Sequence, residues 1–144
     1  AYCPDEAMIK ENVTPVHSAN ELYKTCDVVS LHIPATAETK NSINYALLSQ
    51  MPKGAMLVNT ARKEVINEAE LIQLMEERPD FRYMADIMPA ADAEMREKFA
   101  GRYFATPKKM GAQTAEANIN AGIAAANQIV DFFVNGNTRF QVNK

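Results

Sequence analysis

The run Ala55-Met56-Leu57-Val58-Asn59-Thr60 constrains the fold more than any other stretch of the chain. It has the length of a strand and is apolar without alternation, the pattern of a strand covered on both faces, as in parallel sheets. Parallel strands need crossover connections, usually helical, and the flanking sequence supplies them. Val28-Val29-Ser30-Leu31-His32-Ile33, stopped by Pro34, reads as a strand, as do Phe81–Met88 and Arg102–Thr106, the last halted by Pro107. Val13–Ser18 is a further, β-branched extended segment.

Helical signals fall between these runs. Ser18-Ala19-Asn20-Glu21 is a capping box that opens a helix through Cys26. Ile43 to Met51 places Leu47, Leu48 and Met51 on one face and ends at the turn Pro52-Lys53-Gly54. Asn67-Glu68-Ala69-Glu70, a second capping box, leads a helix carrying Leu71, Ile72, Leu74 and Met75 that stops before Pro79. Asp92 to Ala100 is a short charged helix or turn. From Thr114 onward Ile119, Ile123, Ala126, Val130 and Phe133 recur at helical spacing, with Gly136 as C-cap. That helix would have about 20 residues and a length of roughly 30 Å, and its small residues would let another helix or domain approach closely.

The alternation predicts an α/β fold on a parallel sheet. Ligands of such sheets bind beyond the carboxyl ends of the strands. Those ends are Ile33-Pro34, Thr60-Ala61-Arg62, Asp86-Ile87-Met88 and Thr106-Pro107-Lys108-Lys109, and they are expected to line one cleft.

Composition narrows the classes of function. The 144 residues make one ordinary domain, and a net charge of −3 gives no basis for binding nucleic acid or an anionic membrane. The five glycines are dispersed, so neither a G-x-G-x-x-G nor a Walker phosphate loop is present. No apolar run approaches the roughly 20 residues of a membrane span, and the polar N-terminus reads as no secretory leader. Cys3 and Cys26 fit reduced thiols of a cytoplasmic protein. His17 and His32 are the only histidines, and no Cys/His/Asp cluster has ligand spacing, so no metal is expected. No Ser/His/Asp nucleophile pattern stands out, and the eight methionines suit core filling.

The strand ends resemble those of the D-isomer-specific 2-hydroxyacid dehydrogenases. Three stretches carry the likeness: Cys26-Asp27-Val28-Val29-Ser30-Leu31-His32-Ile33-Pro34 with Thr39; Gly54 to Arg62 with Val65-Ile66-Asn67-Glu68; and Ala85-Asp86-Ile87-Met88-Pro89 with Thr106-Pro107 and Gly111-Ala112-Gln113-Thr114. They stand in family order and cover nearly the whole chain. The resemblance implies a Rossmann-like NAD-binding domain whose Gly fingerprint and substrate domain lie upstream of Ala1. Residues 1–112 would be the second half of that domain, and residues 113–144 an interdomain helix with a tail returning to the substrate domain. Tyr2-Cys3-Pro4 is similar to a family strand end at which an Asp grips the adenosine ribose, here replaced by Cys3. Lacking the fingerprint, the 144 residues alone are expected to bind NAD weakly or not at all.

The resemblance also implies an activity: hydride transfer between NAD and a small D-2-hydroxy acid. D-3-phosphoglycerate, oxidised to 3-phosphohydroxypyruvate in serine biosynthesis, is favoured, in a cytoplasmic homodimer. By position alone Arg62 serves equally as a surface residue or as a fork for a carboxylate; its family counterpart binds and polarises the 2-oxo acid. Asp86, otherwise a turn former, matches an Asp at the nicotinamide end of the cofactor. Thr60, Ala61, Gly111 and Ala112 would frame the nicotinamide, and His32 and Pro34 would line the cofactor cleft. Where the family carries Thr-Pro-His, this chain reads Thr106-Pro107-Lys108-Lys109-Met110-Gly111, one residue longer. Matching from Gly111 puts Lys109 on the catalytic His; matching from Pro107 puts Lys108 there. Two solvated loop lysines are the plain reading of the same residues. As acid/base, a lysine needs its pKa lowered, by burial or a nearby cation such as Arg62, and some family members carry lysine in this place. The Glu that orients the family His is replaced by Ala91, followed by Asp92. Loss of that pair is also what a non-catalytic, corepressor-like, dinucleotide-dependent partner-binding module would show.

Overall fold

The computed structural model describes residues 4–110 and 114–143. Its elements run α1 (Asp5–Lys10), α2 (Ala19–Thr25), β1 (Val28–Leu31), α3 (Tyr45–Leu48), β2 (Met56–Asn59), a 3-10 turn (Lys63–Val65), α4 (Glu68–Glu77), β3 (Arg82–Ala85), α5 (Asp92–Lys98), β4 (Tyr103–Ala105) and α6 (Ala115–Asn135). They form two compact units that divide between Lys108 and Lys109.

In the first unit the four strands are all parallel, in the order β1-β2-β3-β4, so the expected α/β parallel sheet is present. Leu31, Asn59, Ala85 and Ala105 lie side by side across it. Helix starts follow their caps: the Ser18 hydroxyl accepts from the Glu21 N–H and the Asn67 side chain from the Glu70 N–H. Gly54 sits at φ +80°, the left-handed conformation that the turn into β2 requires.

Burial corrects one expectation. Val29, Leu31, Leu57, Asn59, Tyr83, Ala85, Tyr103 and Ala105 are buried, but the alternate residues Val28, Met56, Val58, Met84 and Phe104 are exposed or half-buried. Among the described residues only one face of the sheet carries a core. It packs Tyr23 of α2, Leu48 of α3, Leu71, Leu74 and Met75 of α4, and Met95 and Phe99 of α5. The cause is winding: each connection steps one place in the same direction, and right-handed crossovers stepping the same way lie on the same face. Apolar residues at the alternate positions of β2 therefore do not mean that both faces are covered among the described residues.

Two local readings also change, and one helix is new. Val13–Ser18 is not a strand; no strand among the described residues pairs with it. The expected helix from Ile43 shrinks to α3, because Ile43 instead bridges Ile66 in parallel, donating to Val65 O and accepting from the Asn67 N–H. Helix α1, with no buried residue, had no apolar stripe to announce it.

The second unit is α6 and its tail. Thr114 caps its start, accepting from the Ala117 N–H. Gly136 closes it at φ +67°, its N–H donating to Phe132 O while the Asn137 N–H donates to Asp131 O. No residue of α6 is buried, and no helix among the described residues is long and apolar enough to cross a membrane.

Candidate functional site

Parallel strands in register end together, so the residues after them form a row along one edge: His32, Thr60, Asp86 and Thr106. All four are polar, and they are tied in pairs. The Thr60 hydroxyl donates to Leu31 O (3.2 Å) and lies 3.4 Å from His32 Nδ1, while His32 Nε2 lies 2.9 Å from Ser30 Oγ. The Thr106 hydroxyl donates to Asp86 Oδ1 at 3.2 Å, and the Asp86 N–H donates to Asn59 O at 2.8 Å. Beyond His32, Pro34 is exposed and its carbonyl accepts from the Thr39 hydroxyl at 2.6 Å, closing the loop that follows β1.

The turn after β2 is built from inside. Asn59 is fully buried, the only buried polar side chain among the described residues. Its Oδ1 accepts from the Ala61 N–H and its Nδ2 donates to Arg62 O, both at 3.0 Å. The amide thus replaces ladder partners lost where the strand ends, as buried polar groups require. Beside it, burial pushes the Tyr83 phenol up to about 12 against the opposing hydrogen bond from Asn59. Ala61 is buried and Arg62 is exposed, with Nη1 on Ala61 O at 2.9 Å. Among the described residues no carboxylate lies within ion-pair distance of Arg62.

The loop after β3 is held by carboxylates. Glu68, the first residue of α4, accepts from the Ala90 and Ala91 N–H groups, one on each oxygen, at 3.0 Å. Asp92 accepts from Arg96 Nε at 2.8 Å and from the Tyr103 hydroxyl at 2.7 Å, contacts that hold its carboxyl below the usual range, Arg96 foremost. These contacts tie Asp92, the first residue of α5, to Arg96 in the next turn and to Tyr103 of β4.

Arg62, His32, Pro34, Thr60, Ala61, Asp86 and Lys108 all belong to the first unit, and Lys108 is exposed after β4. Lys109 opens the second unit. Cys3, Gly111 and Ala112 lie outside the described residues. Sequence reasoning missed Asn59 and Glu68; a lone amide inside an apolar run was the available signal for the first. Among the described residues no group of three or more His, Cys, Asp or Glu side chains is placed to hold a metal ion.

Residues 2–107 match the family described as D-isomer specific 2-hydroxyacid dehydrogenase, NAD binding domain. The chain is similar to the D-3-phosphoglycerate dehydrogenase of Haemophilus influenzae, 36% identical over 138 residues covering 92% of this chain and 33% of that protein. It is also similar to the solved structure of NAD+-bound 3-phosphoglycerate dehydrogenase from Entamoeba histolytica. The TM-score is 0.76 at 53% identity, covering 90% of this chain and 42% of that one. The apo D-mandelate dehydrogenase of Rhodotorula graminis shares the fold, with a TM-score of 0.75 at 23% identity over 92% of this chain and 38% of its own. The chain spans about a third of the length of the curated relatives it matches.

Proposed function

The chain belongs to the D-isomer specific 2-hydroxyacid dehydrogenases, through their NAD-binding domain, and on that footing we propose that the protein carrying it oxidises a small D-2-hydroxy acid with NAD, D-3-phosphoglycerate giving 3-phosphohydroxypyruvate. The carrying observation is Arg62: an exposed guanidinium on a turn fixed by the buried Asn59 amide, with no carboxylate partner among the described residues. Such a group can fork onto the substrate carboxylate and polarise the neighbouring C2 oxygen. Relatives named for phosphoglycerate support the substrate, and the NAD+-bound relative supports the cofactor.

Hydride leaves C2 as the hydroxyl proton passes to a base, and the C2–O bond becomes a carbonyl. Lys109, or Lys108 one residue earlier, is the residue assigned to take that proton. Bound NAD supplies the hydride acceptor. Thr60 and Asp86 offer a hydroxyl and a carboxylate, groups suited to a carboxamide and to ribose hydroxyls. With Ala61 they frame the nicotinamide, while His32 and Pro34 line the rest of the cofactor cleft. Residues 1–112 serve as the second half of the NAD-binding domain and 113–144 as the interdomain helix and tail. The complete enzyme works as a cytoplasmic homodimer in serine biosynthesis.

The test is NADH formation from D-3-phosphoglycerate by the full-length protein. Arg62→Ala and Lys109→Ala should each lower kcat/KM by about two orders of magnitude or more. Wild-type turnover in Lys109→Ala moves the proton to Lys108, and turnover unchanged in both lysine variants removes lysine from the chemistry. NADH binding without turnover of any D-2-hydroxy acid would favour a non-catalytic partner-binding module.

A further inference from the structure

Helix α5 begins without a cap of its own. Its N-cap is Ala91, which has no side-chain acceptor, and Glu94, placed to reach back as in a capping box, pairs instead with Lys98 at 2.9 Å. The missing acceptor arrives from another helix. Glu68 at the first turn of α4 takes the Ala90 and Ala91 N–H groups on its two oxygens. A carboxylate bonded to two amides is a charge-assisted contact, stronger than a neutral pair. The same loop is fastened at its other end, where Asp86 meets Thr106 and Asn59 O. Pro89 between them is buried, whereas Met88 is 41% exposed, leaving Ile87 and Met88 as the crest beside Asp86.

We propose that Glu68 is a positioning residue for the cofactor crevice: its clamp on Ala90 and Ala91 sets where the Ile87–Met88 crest and Asp86 stand. This rests on the reading of the strand ends as the NAD site. Glu68 touches neither substrate nor cofactor and acts through the loop. It couples α4, which follows the Arg62 turn, to α5, which follows the Asp86 loop, so the two loops move as one.

The experiment uses the full-length protein with Glu68→Ala and Glu68→Gln. Loss of both bonds in Glu68→Ala should raise the KM for NAD and the Kd for NADH about tenfold while kcat changes less than about threefold. Glu68→Gln keeps one acceptor oxygen and should fall between. Amide exchange at Ala90 and Ala91 should accelerate in the same order. Wild-type KM and Kd in both variants would overturn the proposal, even with a lowered Tm, since that is what a purely structural contact gives. Unchanged exchange at Ala90 and Ala91 would overturn it too. If the wild type oxidises no D-2-hydroxy acid, the proposed reaction fails by itself; NADH affinity and amide exchange then still decide the clamp, for it if both change in that order and against it if either does not.

Discussion

Asn59 shows how one side chain can hold a functional turn. Its amide accepts from the Ala61 N–H and donates to the Arg62 carbonyl within a space with no exposed surface, and so serves the two residues that bring Arg62 out of the sheet. Replacement by leucine of similar size would leave the Ala61 N–H and the Arg62 carbonyl without that partner. Losing the bonds of a fully buried amide costs about 1–3 kcal/mol, so Asn59→Leu is expected to lower unfolding stability by roughly that amount. Urea unfolding reads it, and an unchanged midpoint would contradict the role. The strand-end positions of Arg62, Thr60, His32 and Asp86 were legible because strand length, Pro34 and the apolar runs mark where strands stop. The part played by Asn59 was not, since an amide in an apolar run is equally a ladder residue until its hydrogen-bond partners are known. Glu68 was hidden for the same reason: as part of a capping box it reads as local, yet its oxygens serve residues more than twenty positions away.

The elements divide the sheet into two ends of different chemistry. At the amino end, Arg78 donates to Met51 O and Pro52 O, both at 2.7 Å, and pairs with Asp80 at 2.6 Å, while Asp80 also accepts from the Gly54 N–H at 2.6 Å. These contacts fasten the turn into β2 to the turn into β3. Arg78, and then the Gly54 amide, hold the Asp80 carboxyl well below its usual range. The folded state keeps this group ionised at pH values where the unfolded chain has taken up a proton. Its contribution is complete above the unfolded value near pH 3.9 and is lost as pH falls from there toward the lower folded value. In Asp80→Asn the thermal midpoint should therefore fall less steeply than in wild type between about pH 5 and pH 2.5; equal slopes would exclude this account. Helix starts were legible from Ser18, Asn67 and Thr114, and the end of α6 from Gly136, because caps are local chemistry. Helix α3 was overestimated because a pairing between Ile43 and Ile66 outweighed helical spacing.

For the described chain as a whole the informative fact is that crossovers wound in one direction cover one face of the sheet. The alternation of elements was legible in the sequence, but the side on which the crossovers lie is a property of strand order, so one-sided burial was not. The described strand ends carry side chains of both charge signs and neutral hydroxyls, yet the sequence holds no G-x-G-x-x-G motif of the kind whose turn cradles a pyrophosphate. The chain taken alone is therefore expected to bind NAD weakly or not at all by titration calorimetry, even where circular dichroism shows it folded; saturation at micromolar NAD would contradict this. Strand order has a further consequence, in time rather than space. Val28 pairs with Met56, Met56 with Arg82 and Tyr83 with Tyr103, so each strand meets the one laid down just before it. Among the described strands each partner lies only one crossover away. Pairing from β1 to β4 can therefore follow the order of synthesis, the inner edges of β1, β2 and β3 each staying open only until the next crossover is complete.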